Sequence, residues 1–530
     1  MQHLLSYLIF LPIIAALLAL LVPAAYQKVF KTLALAVSFV QLLLLFLIFQ
    51  TYSTSGSSFQ LIEKNSWITL DLGSWGIFKA EYFVGLDGLS LIMVLLSVLI
   101  LFIAVLSSWN MDKNTKGYFI LLLILNGAIL GSFCAKDLLL FYLFFEFMLL
   151  PMYFLIGIWG GPRREYASIK FFLYTLFGSI LILVVIIGLY SSVKEPGPAV
   201  QVVHTFNMEY MKDSGNYISG SVLNYSEPWI IGPWSARLWA FLFLFIGFAI
   251  KLPMVPLHTW LPDAHVEAPT AISVVLAALL LKIGGYGLAR LAYPVFPDGA
   301  VYFSWLVGLM GLISIIYGAM NALASKDLKR LIAYSSVSHM GFVLLGLASM
   351  TIEGISGAVY QMFSHGILSA MLFLLAGVIY DRTHNRLIEN YSGLSSVMKS
   401  YTAFIIIAFF ASMGLPGFSG FIAEVMILFG AFKSNSLNAL LPEWMAVTAT
   451  LGLILGAAYY LWTIQRMFFG PLSVKVQGDL RDLDYREYAM LVPLALMALL
   501  FGVFPQPLLD IINPFANELA NTVSQYMKIH

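Results

Sequence analysis

Charged residues are scarce in this chain of 530 residues, making up 10% of it, with 28 Lys and Arg against 27 Asp and Glu. A soluble domain carries about 25%, so the composition excludes a soluble globular protein. The formal net charge of +1 gives no reason to expect nucleic-acid binding. Cysteine is rarer still, and Cys134 is the only one in the sequence. One thiol can neither hold an iron–sulfur cluster nor build a disulfide framework.

Long apolar runs dominate the sequence, and hydrophobic residues make up 60% of the chain. A transmembrane helix needs about 20 such residues, so we predict an all-α polytopic membrane protein with about 14 transmembrane helices. The N-terminal run lacks a basic start and is too long for a cleaved signal, so it counts as the first helix. The runs lie near 3–23, 29–50, 86–107, 117–133, 137–159, 168–190, 236–262, 269–293, 301–323, 328–350, 354–380, 401–433, 443–465 and 488–508.

Lysine and arginine are unevenly divided between alternate loops, and cytoplasmic loops are expected to hold the excess. The two long polar loops, 51–85 and 191–235, and both termini belong to the poorly charged set, so we predict that they lie together on the non-cytoplasmic side. Chain length and this clear bias favour a bacterial inner membrane. The loops that are rich in basic residues carry Lys28, Lys31, Lys113, Lys116, Arg163, Arg164, Lys326, Lys329, Arg330, Arg382, Arg386, Lys399, Arg466, Lys475, Arg481 and Arg486.

A short internal repeat joins the two halves of the chain. The triplet Lys-Asp-Leu at 136–138 recurs at 326–328, and each copy later contains a helix interrupted by proline, at 251–256 and 413–417. Two copies of about five helices, each with an interrupted helix, are typical of transporter inverted repeats. We divide the chain into helices 1–3 with an outer loop, the first repeat, the second inverted repeat, and helix 14 with its tail, at 1–116, 117–293, 294–470 and 471–530.

Five ionisable side chains lie in the middle of apolar runs: Glu146, Lys251, Lys282, His365 and Glu424. A charge at a bilayer centre costs about 2.5–3.5 kcal/mol or more. The alternative is a set of permanently paired or protonated structural groups. A series of acids, amines and imidazoles along one apolar chain favours a path for protons or ions.

The positions of three of these groups suit that role. Lys282 is near the middle of its run, where desolvation lets a lysine gain or lose a proton. Lys251 directly precedes two helix-breaking prolines, so it lies at the C-terminal end of a half-helix, which favours a cation. Glu424 follows the break at 413–417, near the N-terminal end of the next half-helix, which favours an anion. Simple packing kinks are the alternative interpretation.

Four histidines lie in or beside apolar runs and could relay protons, or could be ordinary hydrogen-bonding side chains. They are His258, His265, His339 and His365. The stretch 258–267 is either a cytoplasm-facing inlet or a capped connection between helices. Haem ligation by two histidines on facing helices is a further alternative.

Other features have simpler interpretations. Lys136, Asp137 and Glu353 start helices, as solvated ends or subunit contacts. The glycine-rich 283–287 lies inside a membrane helix and lacks the strand–turn–helix context of a dinucleotide site. We therefore expect no bond chemistry on this chain.

Long motifs in this sequence resemble the M-type (chain 4) subunits of NADH–quinone oxidoreductase, respiratory complex I. The first is HTWLPDAHVEAPTAISVVLAALLLKIGGYG at 258–287, supported by the sequences at 145–160, 326–346 and 413–432. The resemblance covers nearly the whole chain. LPDAHVEAPT, and a length without a C-terminal extension, favour the M type over the related L and N types.

The resemblance implies an antiporter-like fold with two inverted five-helix repeats and two broken helices, acting as a proton-pumping module. It implies a proton path through Glu146, Lys251, Lys282, His339, His365 and Glu424, and His339 is added on this basis. We hypothesise that Glu146 and Lys251 form an ion pair whose opening or closing shifts the pKa of Lys282.

The resemblance also implies partners. It places FMN, iron–sulfur clusters and quinone in partner subunits, with no cofactor or metal on this chain. The L-type and N-type subunits would be its membrane neighbours, and the hydrophilic redox subunits would act on it indirectly. The alternatives are a subunit of a cation/proton antiporter or of a membrane-bound hydrogenase, and a structural anchor without transport. The electron donor, whether NADH, ferredoxin or another carrier, stays open.

Overall fold

The computed structural model describes residues 3–54, 59–71, 73, 77–197, 202–474 and 480–529, so Lys475 lies outside the described residues. Within them, twelve helices are long and apolar enough to cross a membrane. The other two predicted runs, 236–262 and 401–433, are each broken into two helices. The twelve are Leu4–Leu21, Gln27–Thr51, Gly88–Ser107, Thr115–Cys134, Leu138–Trp159, Arg164–Ser192, Thr270–Val295, Ser304–Ala324, Leu328–Ala348, Ile352–Thr383, Glu443–Phe468 and Tyr485–Val503.

Both broken helices separate where the sequence predicts it. The first consists of Ala236–Lys251 and Trp260–Glu267. The second consists of Lys399–Ser412 and Ser419–Asn438. Proline removes a backbone donor and obstructs the preceding turn, which leaves carbonyl groups to be satisfied by other partners.

The loops fall into two sets at the two ends of the helices. One set surrounds a single cavity, and we call this end the basic face, defined by residues 108–111, 160–162, 266–271 and 380–386. The other set, which we call the opposite face, contains the described residues between 52 and 87, the loop 202–235 and a C-terminal helix.

The two long loops lie together on the opposite face, as predicted. The loop 51–85 contains an antiparallel hairpin of Gln60–Asp71 and Ile77–Leu86, which the prediction of an all-helical chain did not include. Ile77 contacts the second loop, since its N–H donates to Val202 O at 3.2 Å and its carbonyl accepts from His204 N at 3.2 Å.

The hairpin carries two buried glutamates, one of which bonds to the first helix. Glu63 accepts a hydrogen bond from Leu5 N at 2.7 Å, at the N-terminal end of the helix Leu4–Leu21. Glu81 pairs with Lys64 at 2.9 Å and with Lys79 at 3.0 Å. Burial alone would raise the pKa of Glu81, but the hydrogen bonds from these two ammonium groups bring it below its ordinary value.

The internal repeat is visible in the backbone. Asp137 and Asp327 each cap the helix that follows them. Asp137 forms a bridge with Asn207, and Asp327 forms one with Leu387, in each case after two intervening long helices. The first bridge lies on the opposite face and the second on the basic face, as inverted copies require. The chosen residue limits of the two copies stay a prediction.

A C-terminal helix, Gln506–Ile529, completes the opposite face, where the sequence had indicated only a tail. Its Asn513 accepts a hydrogen bond from Ser356 Oγ at 2.9 Å, and its Glu518 lies 3.5 Å from Lys212 of the second loop.

The helices Thr270–Val295 and Ile352–Thr383 form the centre of the molecule, since both are buried along their whole apolar length. They carry Lys282 and His365. Peripheral helices such as Arg164–Ser192 instead expose large apolar side chains, which suits contact with lipid or another subunit.

A candidate functional site of buried titratable side chains

Lys282 lies on the central helix between two π-helical turns, Leu276–Leu280 and Leu288–Ala292. A π turn widens the helix and is frequently found at functional sites. The Lys282 side chain is fully buried, and its Nζ donates to Ala277 O at 2.5 Å. The irregular helix therefore supplies one oxygen partner to the buried amine.

Glycine brings the first broken helix against this central helix. A Cβ on Gly284 would collide with the backbone of Phe248 and Leu252, and one on Gly287 would collide with the Phe248 ring. The glycines at 283–287 are therefore explained by close helix packing, which agrees with the absence of a dinucleotide motif in the sequence.

Lys282, His365, His339 and Glu424 form one buried series. Lys282 Nζ lies 2.6 Å from His365 Nδ1. The rings of His365 and His339 have centroids 5.4 Å apart. His339 Nδ1 lies 3.3 Å from Glu424 Oε1, and Gln361 Nε2 lies 3.3 Å from the same ring nitrogen. The structure thus brings together four of the six predicted site residues, from both halves of the chain.

A small polar cavity adjoins the last two members of the series. It has a volume of about 10 Å³, and His339, His365, Glu424, Ser412 and Tyr460 are among its lining residues. That is about the space that one water molecule requires. Among the described residues, Glu424 Oε2, Ser412 Oγ and the Tyr460 hydroxyl have no protein hydrogen-bond partner. These oxygens can therefore bond to a water molecule in the cavity beside Glu424.

The break in the second interrupted helix positions Glu424. Gly414 and Gly417 adopt positive φ angles of 73° and 98°, which a residue with a side chain adopts at a cost. A Cβ on Gly414 would collide with the Glu424 carboxylate. The acid therefore lies directly over the break, six residues into the helix Ser419–Asn438, close to the predicted N-terminal position.

Lys251 is the last residue of its half-helix, as predicted. Its Nζ lies 3.1 Å from the centroid of the Phe145 ring and 3.4 Å from Phe145 O. The Trp260 indole donates to Ile250 O at 2.9 Å, which satisfies a carbonyl released by the break.

Glu146, the next residue after Phe145, is half-buried. No direct ion pair joins Glu146 to Lys251 in the described part of the chain, where Glu146 Oε1 has no hydrogen-bond partner. The pair is therefore separated in this structure.

The two histidines of 258–267 differ in their surroundings. The His258 ring packs against Tyr317 with centroids 5.3 Å apart. His265 is fully buried and stacks on Phe373 at 4.4 Å. Neither ring nitrogen of His265 has a hydrogen-bond partner among the residues that the structure describes.

Sequence reasoning missed a buried charge cluster near the opposite face. Asp87 pairs with Arg290 at 2.5 Å and lies 3.9 Å from Lys136. Lys136 is fully buried, with Nζ 3.2 Å from Ser90 Oγ, so its interpretation as a solvated helix end was wrong. Glu353 forms a partly exposed pair with Lys433 at 2.7 Å, which agrees with a solvated end or a subunit contact.

Known proteins are similar in sequence to this chain along nearly its full length. A family model described as NADH:quinone oxidoreductase/Mrp antiporter, TM, matches residues 135–451. NADH-quinone oxidoreductase subunit M of Rhodobacter capsulatus is 40% identical over 531 residues, covering 99% of this chain and 97% of the relative. NADH-ubiquinone oxidoreductase chain 4 of Chondrus crispus is 38% identical, with 96% and 94% covered.

Two solved structures are also similar to this chain in fold. A chain of respiratory complex I from Thermus thermophilus, solved with bound NADH, superposes with a TM-score of 0.80 at 31% identity, covering 98% of this chain and 99% of that one. A chain of the Mrp complex from Dietzia sp. also has a TM-score of 0.80, covering 99% of both, but at 20% identity it shows a common fold alone.

Proposed function

Because this chain belongs to the NADH:quinone oxidoreductase/Mrp antiporter family, we propose that it is a proton-translocating membrane subunit of an NADH–quinone oxidoreductase. The observation that carries the proposal is the contact of 2.6 Å between Lys282 Nζ and His365 Nδ1. It joins an amine of the first half of the chain to an imidazole of the second half, at the buried centre of the molecule.

The geometry supports stepwise proton transfer along the series. A protonated Lys282 donates to His365 Nδ1, and the imidazole can release a proton from its other nitrogen. His339 accepts the proton next and donates to Glu424, which lies within 3.3 Å. Every member is buried and belongs to a different helix, so small changes in helix position alter the transfer distances.

Glu146 and Lys251 provide the coupling element. Their opposite charges stabilise each other if they approach, and separation leaves the Lys251 charge free to act on Lys282. Redox chemistry elsewhere in the assembly would change the local field and move this pair between its separated and closed states. The separation of the two groups in this structure supports a pair that can open.

Partner subunits supply the redox chemistry in this proposal. The chain has one thiol, Cys134, which is fully buried, so its own cysteines do not suit an iron–sulfur cluster. FMN, iron–sulfur clusters and quinone would belong to other subunits of a membrane assembly like that of the Thermus thermophilus relative. Subunits of the L and N types would be its membrane neighbours.

The basic face would point to the cytoplasm, since that side holds the excess of Lys and Arg in membrane proteins. Both chain termini and the hairpin would then lie on the non-cytoplasmic side. The bacterial relatives favour an inner membrane.

Purification of a tagged chain in mild detergent tests the assembly. We expect other membrane subunits and hydrophilic subunits with flavin and iron–sulfur absorption to accompany it, and the complex to reduce quinone with NADH. Recovery with antiporter subunits alone, and without redox centres, would contradict the proposal and indicate a cation/proton antiporter. Reduction of quinone by another donor would change the electron donor and leave the proton path as proposed.

A further inference from the structure

A second, shorter hairpin lies on the opposite face at residues 229–235, and we call it the tryptophan hairpin. Its strands are Ile230–Ile231 and Trp234–Ser235, which pair in antiparallel register. Gly232 begins the turn between them with a positive φ of 63°, which a tight hairpin turn of this kind requires. The helix Ala236–Lys251 follows the second strand directly.

The first strand of the tryptophan hairpin leaves three large apolar side chains uncovered. Trp229, Ile230 and Ile231 are 56%, 73% and 50% exposed. The segment 228–236 contains no charged residue. Contiguous exposed apolar side chains mark a surface that another molecule or a membrane covers. The chain itself does not cover them with any of its described residues.

Hydrogen bonds hold the tryptophan hairpin against the helix that follows it. Trp239 Nε1 donates to Ile231 O at 2.9 Å. Ala236 N donates to Trp229 O at 2.7 Å. The first strand is therefore fixed beside the beginning of the helix Ala236–Lys251, and its exposed side chains lie at the level of the first helical turns.

The length of this helix gives that level in the membrane. Its last residue, Lys251, is followed by the break at Leu252, whose backbone packs closely on Gly284 near the middle of the central helix. Trp239 is twelve residues before Lys251, or about 18 Å along the helix axis. The interfacial layer of a bilayer lies about 15–22 Å from its midplane. Trp239 and the strand bonded to it therefore reach the interfacial layer.

Further aromatic side chains extend the surface at this level. Trp234 Nε1 donates to the Tyr302 hydroxyl at 3.1 Å, and the ring centroids of Trp234 and Trp239 are 4.9 Å apart. Tyr302 and Trp305, at the beginning of the helix Ser304–Ala324, are exposed. Trp and Tyr are enriched where a membrane meets water, because one end of each side chain is apolar and the other is polar.

We propose that the tryptophan hairpin inserts Trp229, Ile230 and Ile231 into the interfacial layer of the lipid bilayer on the opposite face. There it anchors the beginning of the half-helix that ends at Lys251. The free backbone edges of so short a strand pair can bond to water among lipid headgroups, but they would be unsatisfied in hydrocarbon. The level and the surrounding Trp and Tyr favour a lipid surface over a neighbouring protein. The proposal depends on the membrane-spanning fold and not on the proton path.

The test places a photoreactive side chain on the tryptophan hairpin. The whole complex is produced with p-benzoylphenylalanine in place of Ile230, reconstituted in phosphatidylcholine vesicles and irradiated, and lipid adducts of this chain are counted by mass spectrometry. The matched control has the same probe in place of Ser214, an exposed residue of the same loop next to Asp213. We expect about 10-fold more lipid adducts at position 230, because a side chain buried at the headgroup and acyl boundary contacts lipid continuously.

Two results would overturn the proposal. Cross-links from position 230 to another subunit would show that the hairpin is a protein docking surface. Equal numbers of lipid adducts at 230 and 214 would show that it stays in water. If the complex with the probe at 230 fails to assemble, the probe in place of Ile231 decides by the same criteria, because this side chain is also exposed. None of these results affects the proton path, which the variants of Lys282 test separately.

Discussion

Replacing Lys282 by methionine is expected to abolish proton translocation by the complex while leaving its assembly intact. Methionine keeps an unbranched side chain of similar length and adds no buried charge, so the surrounding packing is preserved. It removes the amine that touches His365 at 2.6 Å. Removal of a proton donor from a relay costs on the order of 100-fold or more in rate. Dye quenching in inverted membrane vesicles, measured together with quinone reduction, gives the result.

The matched control for this variant is Lys433→Met, which removes a partly exposed lysine paired with Glu353 away from the buried series. We expect Lys433→Met to pump normally. A Lys282→Met complex that pumps the normal number of protons for each quinone reduced would show that the central lysine carries no protons.

Replacing Glu424 by glutamine is expected to stop proton release from the series. Glutamine has nearly the same shape and can still bond to His339, but it cannot take up a proton. His339 is within 3.3 Å of Glu424, which is the only carboxylate among the described residues that line the small polar cavity beside both. We expect pumping to fall on the order of 100-fold. Aspartate should restore part of it, because the carboxylate returns at a longer distance.

Glu353→Gln is the control for this prediction, because Glu353 begins a helix in the same half of the chain and is partly exposed. Both variants are measured in the same vesicle assay, with the amount of assembled complex determined by gel. Equal pumping by Glu424→Gln and Glu353→Gln would contradict the proposed role of Glu424.

Helix positions and the two breaks were predictable because membrane insertion and proline act locally. Apolar length located all twelve long apolar helices of the described residues, and Pro253, Pro256 and Pro416 marked the breaks in the two interrupted ones. The ends of the broken helices then placed Lys251 and Glu424 close to where their charges are favoured. The distribution of Lys and Arg also grouped the two long loops correctly.

Features that depend on distant contacts could not be predicted from local patterns. The hairpin at 60–86 is held partly by Glu63 at the first helix, and the final helix is too polar to count as a span. Lys136 begins a helix, which suggested exposure, but the hairpin and the helix Gly88–Ser107 cover it.

The sequence predicted which residues form the candidate site but not which of them contact one another. The free-energy cost of placing an ionisable side chain in an apolar run selected five of its six residues. The family resemblance added His339. Neither gave the order Lys282, His365, His339 and Glu424, since those residues come from four helices in two halves of the chain. The separation of Glu146 from Lys251 could not be predicted from the sequence either, because an ion pair was the simplest expectation for two opposite charges.

Direct observation of His365 during turnover tests the proton path most directly. Infrared difference spectra of the complex with isotope-labelled histidine would be recorded between the resting and the NADH-driven states, with His365→Gln used to assign the signal. The path predicts that an imidazole signal changes protonation on turnover and disappears in His365→Gln. A His365 signal that stays the same while the complex pumps protons would contradict it.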